Sequence, residues 1–538
     1  MRDAFSHIDA AAKQHMDAES IPGLTLAITD RKRTLYVGAY GYANLEARTP
    51  ITPDHLFEIG SIGKSFTTLA LMQHVETGRI DLYTPVTRYL PWLEIASDHE
   101  PIRIHDLLTH RAGITVGSDF ALASRYGACV LGEIGTAAPP GEHFAYSNLG
   151  FKILGWVLAS LDGKEYGDLI RERVLGPLGM DASSGQITLD TRPRMAVGYG
   201  SAYPDRPFHR THGLAPATWL ETNTGDGSIV STAGDMAIYV RMLLNRGAYP
   251  GGRIVTEESF ATMTKPYVAV PEWGENAAYG YGVAVSREDE HALVEHGGGM
   301  VGYTAALVAD MDAGLGVIVL ANMGAENRDP GMYAIKVMAA AAAGTDLPPL
   351  PDPPDPAKVE RAADYAGTYQ RGESSLTFRA EGDHLLLKHG GESIPLETVG
   401  PHGFLAPHPD FARYLMKFER DDAGRVIEVS HGPDWYVNDA YNGPTEFDIP
   451  ADWASYTGHY ITYNPWDNGF RIFVRKGELR QAMYYGAERV LEPAGNHRFR
   501  LISPVAFMAE SLAFDALIEG KTQRARWSGQ DYYRTFTP

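Results

Sequence analysis

The chain carries a single cysteine, Cys129, in 538 residues. No internal disulfide can form, so its covalent chemistry makes no demand for an oxidising compartment. No His-containing motif surrounds Cys129, which is therefore expected to be a buried structural thiol and not a nucleophile. Long apolar runs are also lacking. None approaches the length of a membrane span. The opening stretch, Met1 to Ser20, is interrupted by charges and has no apolar segment of the kind found in a secretory leader. The expected location is the cytoplasm. Basic residues are in the minority: 47 Lys and Arg face 67 Asp and Glu, for a formal charge of −20. That sign repels phosphate backbones and anionic lipid, which argues against nucleic acid and membrane as partners. Metal motifs are missing as well. His291 with Glu295-His296 nearly spells H-x-x-E-H but has one residue too many. Neither a metal nor a cofactor is expected.

The length exceeds what one core holds and predicts several domains. An amphipathic helix is predicted over 1–19. Gly23–Thr29 and Thr34–Tyr40 read as a hairpin about the polar turn Asp30-Arg31-Lys32-Arg33. The region from 61 to about 245 is mostly helices and loops. Short strands follow at Tyr281–Val285, Ala292–His296, Ala305–Asp310 and Gly316–Ala321, with Asp312-Ala313-Gly314 as a turn, then a helix over 331–343. Strands at both ends with helices between them predict an α+β fold: one antiparallel sheet flanked by helices, in a domain over 1–345. Six of the ten residues 347–356 are proline, so 346–357 reads as a stiff linker. Beyond it the pattern is short and alternating, and repeats weakly. Asp364-Tyr365-Ala366-Gly367-Thr368-Tyr369 matches Ser455-Tyr456-Thr457-Gly458-His459-Tyr460 at an offset of 91 residues (456 − 365). Two small antiparallel β-barrel domains, 358–446 and 447–538, account for this.

Ser61-Ile62-Gly63-Lys64 is an S-x-x-K tetrad at the head of a predicted buried helix, Ser61 to about Thr77. One turn separates hydroxyl from amine, so both leave the same face. A serine beside a desolvated lysine is a route to an acyl-enzyme. The competing roles are an N-cap for Ser61 and a solvent-seeking side chain for Lys64. In Tyr146-Ser147-Asn148 the phenol has general-base chemistry once cations lower its pKa, and the Asn148 amide can hold a substrate carbonyl and bond Lys64; a turn before the helix Leu149–Leu161 is the alternative. His296-Gly297-Gly298-Gly299 ends a strand. Glycine lets backbone approach a substrate, and an N–H there, that of Gly299, pairs with the N–H of Ser61 as an oxyanion hole in this reading. An ordinary glycine loop is the alternative.

Each motif alone is weak. Their order, with Leu107-Leu108-Thr109-His110-Arg111-Ala112-Gly113, Pro177-Leu178-Gly179-Met180, Ser231-Thr232-Ala233-Gly234-Asp235 and Leu320-Ala321-Asn322, resembles the serine β-lactamase and penicillin-binding-protein superfamily, in its class C-like branch. The resemblance covers about 1–345. It implies that Ser61 is acylated, that Lys64 and Tyr146 move the proton, and that Asn148, His296, Gly298 and Gly299 contact substrate. His296 stands where most β-lactamases of this fold have lysine, which moves the expectation from lactam hydrolysis to peptidases and esterases. The two-barrel tail is similar to bacterial D-aminopeptidases and lipocalin-like in character. In those enzymes a barrel loop restricts the active site. Here Tyr463–Gly469, with Asp467 meeting a substrate amine, or Asp434-Trp435-Tyr436, is expected to do so. The implied activity is hydrolysis of small peptides or amides, D-aminopeptidase-like. Carboxylesterase or acyltransferase activity, and β-lactamase or D-Ala-D-Ala carboxypeptidase activity, are the alternatives. The partner is a small peptide, amide or ester substrate, and a homo-oligomer is compatible with the sequence.

Overall fold

A computed structural model describes residues 2–115, 124–400, 403–502, 507 and 510–536. It divides into two compact units, one of residues 1–200 and 214–353, the other of 201–213 and 354–538.

The first unit is organised by an antiparallel sheet built from both ends of its sequence. It opens with helix α1 (Arg2–Glu19) and the hairpin β1 (Gly23–Asp30) and β2 (Thr34–Asn44). Helices α2 (Gly63–Glu76), α3 (Asn148–Asp162) and α4 (Ala233–Leu244) follow. The chain returns to the sheet as β3 (Ala284–Glu288), β4 (His291–Met300), β5 (Tyr303–Asp310) and β6 (Leu315–Ala321), and ends in α5 (Arg328–Ala343). The nine-stranded order is Val268–Ala269, Ala278–Tyr279, β3, β4, β5, β6, β1, β2, Thr49–Pro50. β1 thus lies between its hairpin partner and β6, with Leu24 opposite Ala321 and Leu26 opposite Val319. Both faces are covered, which is why every residue of β6 is buried. Ala4, Ile8 and Ala12 of α1 and Ile335 and Met338 of α5 pack on one face with Leu24, Leu26, Ile28, Val317 and Val319. The larger core on the other face takes in α2, α3 and α4. Asn322 locks the two sequence ends together: its Oδ1 accepts the Gly23 N–H at 2.7 Å, and its Nδ2 donates to the carbonyls of Val197 (2.9 Å) and Tyr42 (3.1 Å).

Three sequence expectations change in this unit. The predicted strand at Tyr281 starts only at Ala284, because Gly282 adopts φ +67° and presses on α2; a Cβ there would lie 2.7 Å from the Lys64 carbonyl oxygen. Cys129 is exposed on the helix Ser124–Ile134, not buried. Ser61 sits in a 3-10 turn, Gly60–Ile62, and the α-helix proper begins at Gly63. No helix among the described residues is long and apolar enough to cross a membrane.

The second unit is all β apart from short helical turns. Strands β7 (Gly367–Arg371), β8 (Ser374–Glu381), β9 (His384–His389), β10 (Glu392–Pro395), β11 (Glu397–Val399), β12 (Gly403–Leu405), β13 (Met416–Arg420), β14 (Val426–His431) and β15 (Asp434–Val437) form one sheet in the order β10-β9-β8-β7-β15-β14-β13-β12-β11. It curls nearly to closure without a bonded seam. The eight strands from Gly458–Ile461 to Gln530–Thr535 close completely. The repeat detected in the sequence has a structural counterpart. Each module begins with a helical turn, then a glycine, then a strand bearing a fully buried tyrosine whose hydroxyl donates back four residues: Tyr369 to the Tyr365 carbonyl (3.0 Å) and Tyr460 to the Tyr456 carbonyl (2.8 Å). Asp434-Trp435-Tyr436 belongs to β15 and is not a loop; the Trp435 indole N–H is held by Glu428 at 2.5 Å.

Residues 201–213 leave the first unit and pack with the second. Arg210 bonds Glu397 at 2.8 Å, and the Asp205 carbonyl accepts from Arg471 at 2.8 Å. Nothing in their composition marks this excursion.

Candidate active site

The site is assembled where the 3-10 turn, the start of α3 and the end of β4 meet. Helix α2 is buried almost all round, and Lys64, in its first turn, is fully buried. A buried ammonium is tolerable only when its N–H groups are bonded. Lys64 Nζ meets three acceptors: Asn148 Oδ1 at 2.6 Å, Ser61 Oγ at 2.9 Å and the Asp226 carbonyl at 3.0 Å. Three acceptors match the three donors of a charged ammonium. The same nitrogen lies 4.8 Å from the centre of the Tyr146 ring and 5.7 Å from that of Phe151, within cation–π range of both. S-x-x-K and Y-x-N, separated by 84 residues between Lys64 and Asn148, thus converge on one cation.

Local chemistry fixes each partner. Ser147 caps α3: its hydroxyl accepts the Gly150 N–H at 3.1 Å. That cap sets Tyr146 just outside the helix and Asn148 as its first residue. The Ser147 N–H in turn donates to His110 Nδ1 at 3.0 Å, and the His110 ring lies on Tyr146 with centroids 4.1 Å apart. Burial, reinforced by the charge of Lys64, holds His110 well below the ordinary histidine range. It is neutral, with its proton on Nε2, which has no hydrogen-bond partner among the described residues.

Gly298 and Gly299 bring β4 against the serine turn. A Cβ on Gly298 would stand 1.9 Å from the Ile59 carbonyl oxygen; one on Gly60, which holds φ +50°, would stand 2.7 Å from the Gly299 nitrogen. Backbone meets backbone here because no side chain intervenes. His296, three residues earlier, is buried. Its Nδ1 donates to the Gly297 carbonyl (2.5 Å), so its Nε2 accepts from the Tyr279 hydroxyl (3.0 Å). Burial, then the Lys64 charge, lowers its pKa to about 4. His296 is therefore a neutral strut of the wall and not a cation at neutral pH. Tyr279 is raised well above the usual phenol value by burial and stays protonated. Trp273, 48% exposed, lies against Phe144, Tyr146 and Tyr279 at centroid distances of 5.7, 6.1 and 5.8 Å.

Ser61, Lys64, Tyr146, Asn148, His296, Gly298 and Gly299 all belong to this one region of the first unit. Asp467 belongs to the second unit. It is half-buried beside Asn464, whose side chain caps the Trp466 N–H at 3.1 Å. Burial pushes its carboxyl up to about 7 against the opposing pull of Arg489. Sequence reading missed His110, Asp226, Phe151 and Tyr279. His110 lies in the Leu107–Gly113 stretch already singled out, so a signal existed. Asp226 acts through its carbonyl, for which residue type gives no sign.

A buried lysine joined to a serine hydroxyl and an asparagine amide, on a helix covered by a mixed-origin antiparallel sheet, defines a class of serine hydrolase. The chain belongs to the Beta-lactamase family, whose model matches residues 8–342. It is 25% identical over 395 residues to a D-aminopeptidase of Gluconobacter oxydans, spanning 71% of this chain and 69% of that one. The D-amino acid amidase from Ochrobactrum anthropi SV3 is similar in structure, with 26% identity and a TM-score of 0.53 over 63% of this chain and 99% of its own. The octameric penicillin-binding protein homologue from Pyrococcus abyssi shares the fold over 91% of this chain and all of its own, at TM-score 0.59 and 22% identity.

Proposed function

We propose that the protein hydrolyses amide bonds of small substrates, aminoacyl amides or short peptides, through an acyl-enzyme on Ser61. One observation carries this reading: the Lys64 ammonium binds Ser61 Oγ and Asn148 Oδ1 together beneath the Tyr146 ring. With its three N–H groups donating, Lys64 acts as a fixed cation, and the base is Tyr146. Ser61 Oγ attacks the carbonyl carbon as its proton passes to the Tyr146 oxygen. The oxyanion is met by the N–H groups of Ser61 and Gly299, each such donor contributing about 3 kcal/mol in the transition state. Tyr146 returns the proton to the leaving amine as the C–N bond breaks. Water, deprotonated by the Tyr146 phenolate, then attacks the acyl carbon, and the ester bond to Ser61 breaks as Tyr146 hands that proton to Ser61 Oγ, freeing the acid. The neutral state of His296 offers no fixed positive charge to a substrate carboxylate, which favours amides over carboxylate-bearing lactams. The likeness to a D-aminopeptidase and a D-amino acid amidase supports an aminoacyl substrate.

Ser61→Ala should abolish both turnover and covalent labelling by a fluorophosphonate, with the fold retained by circular dichroism. Labelling that survives removes Ser61 from the nucleophile role. A panel of D- and L-aminoacyl amides, p-nitrophenyl acetate and nitrocefin should give its highest kcat/KM on an aminoacyl amide. Preference for the acetate ester would make the enzyme an esterase on the same machinery.

A further inference from the structure

His389 lies 21 residues before Asp410 in the second unit, on a different element, yet His389, His408 and Asp410 offer one ligand atom each within 4.8 Å of one another. His389 is the last residue of β9. His408 and Asp410 lie in the connection from β12 to β13, where Pro409–Phe411 makes a single 3-10 turn. β9 and β12 are each second from an end of the nine-stranded order. The three side chains therefore face one another across the seam where this sheet fails to close.

The geometry is close to that of a three-ligand ion site. His389 Nε2 is 2.7 Å from Asp410 Oδ2, and His408 Nδ1 is 3.8 Å from the same oxygen. Ligands at about 2.1 Å from a tetrahedral ion are separated by about 3.4 Å, between these two values. Both rings are already oriented. They pack on each other at 5.1 Å and 72°, and the Phe411 ring lies against His389 at 4.9 Å and His408 at 6.0 Å. Pro409 sets the spacing of His408 and Asp410. The Asp410 N–H now donates to His408 Nδ1 at a long 3.2 Å, a weak bond whose lone pair an ion would take over. Two imidazoles and a carboxylate are a borderline-soft set that suits Zn2+ and its transition-metal neighbours and not Mg2+ or Ca2+.

We propose that His389, His408 and Asp410 bind one divalent transition-metal ion of the Zn2+ type, with water in the remaining position, and that the ion clips the β12–β13 connection to the end of β9. Binding only to the folded sheet makes the ion a stabiliser of the seam. The site lies on other residues than the catalytic cluster and owes nothing to the hydrolase reading.

The full-length protein, stripped with a chelator, would be titrated with Zn2+ by calorimetry and with Co2+ by visible absorption. The expected result is one ion per chain with the d–d bands of a four-coordinate N2O2 site, water being the fourth donor. His389→Ala, His408→Ala and Asp410→Asn should each weaken Zn2+ at least about tenfold, while His384→Ala, a half-exposed histidine of the same sheet paired with Asp355 and Asp383, leaves it unchanged. Zn2+ should raise the Tm of the parent protein and not of the three variants; circular dichroism establishes that they are folded. Absence of saturable binding, or a loss below tenfold in any of the three, overturns the proposal and leaves a His389–Asp410 ion pair.

Discussion

Glu58 lies three residues before the serine and is 4% exposed, with its carboxyl pushed by burial up to about 8. Its backbone pairs with Val230, so the side chain cannot simply swing to water. An unfolded glutamate titrates near ~4.3. The folded state thus holds a proton that the unfolded state has lost between those two values. Stability must fall as pH rises through that window, by up to about 1.4 kcal/mol per unit, and level off above pH 8. Glu58→Gln should abolish that part of the slope, which urea unfolding at pH 5.5 and pH 8 measures directly. An unchanged slope would mean that Glu58 ionises normally. That Ser61, Lys64, Tyr146 and Asn148 come together was legible in the sequence because S-x-x-K and Y-x-N are local patterns. His110 and the Asp226 carbonyl were not, because a ring that orients another ring and a main-chain acceptor are defined only by tertiary contact. The charge state of His296 was equally hidden, since burial is what removes it.

Among elements, the close approach of β4 to the 3-10 turn governs the site. Gly298→Ala places a methyl group 1.9 Å from the Ile59 carbonyl oxygen, so strand and turn must separate. The expected outcome is a loss of stability of about 1–3 kcal/mol together with a kcat fall of at least about tenfold from a misplaced oxyanion donor. Gly324→Ala is the control, because a Cβ there meets nothing within 4 Å and Gly324 is not part of the site. Equal activity of the two variants would remove the backbone approach from the mechanism. The sheet itself was readable: β1, β2, β5 and β6 follow the apolar runs, and the tyrosine–glycine repeat announced two equivalent modules. Strand periodicity does not say whether a sheet closes, and so it left the open seam between β10 and β11 invisible. Nor does helical spacing separate an α turn from the 3-10 turn that holds Ser61, or tell which face of Ser124–Ile134 presents Cys129.

At the scale of the whole molecule, the two β modules of the second unit are joined by buried charge. Arg475 of the closed barrel donates to the Gly432 carbonyl of the open sheet at 2.7 Å, and its guanidinium meets Glu488 at 2.5 Å with side-chain exposures of 2% and 6%. Lys417 and Arg480 also face Glu488, each at 3.7 Å. Lys476 bridges to Glu428 at 2.6 Å and Glu419 at 3.3 Å. Glu488 therefore faces three cations, of which Arg480 also pairs with Glu478. Glu488→Gln should cost about 3–5 kcal/mol, because Arg475 stays buried without its counter-charge, and a urea midpoint unchanged from the parent would contradict that. Replacing Arg475 and Glu488 together by apolar residues should restore much of the loss.

The excursion of residues 201–213 also sets a timetable for biosynthesis. Arg210 waits for Glu397, 187 residues downstream, and Asp205 for Arg471, 266 residues downstream. At ~5–20 residues per second, the second interval lasts about 13–50 s on the ribosome. The rest of the first unit has its full sequence once residue 353 has emerged, well before that segment finds its partners. A stretch made early therefore completes its contacts only after most of the second unit has been translated.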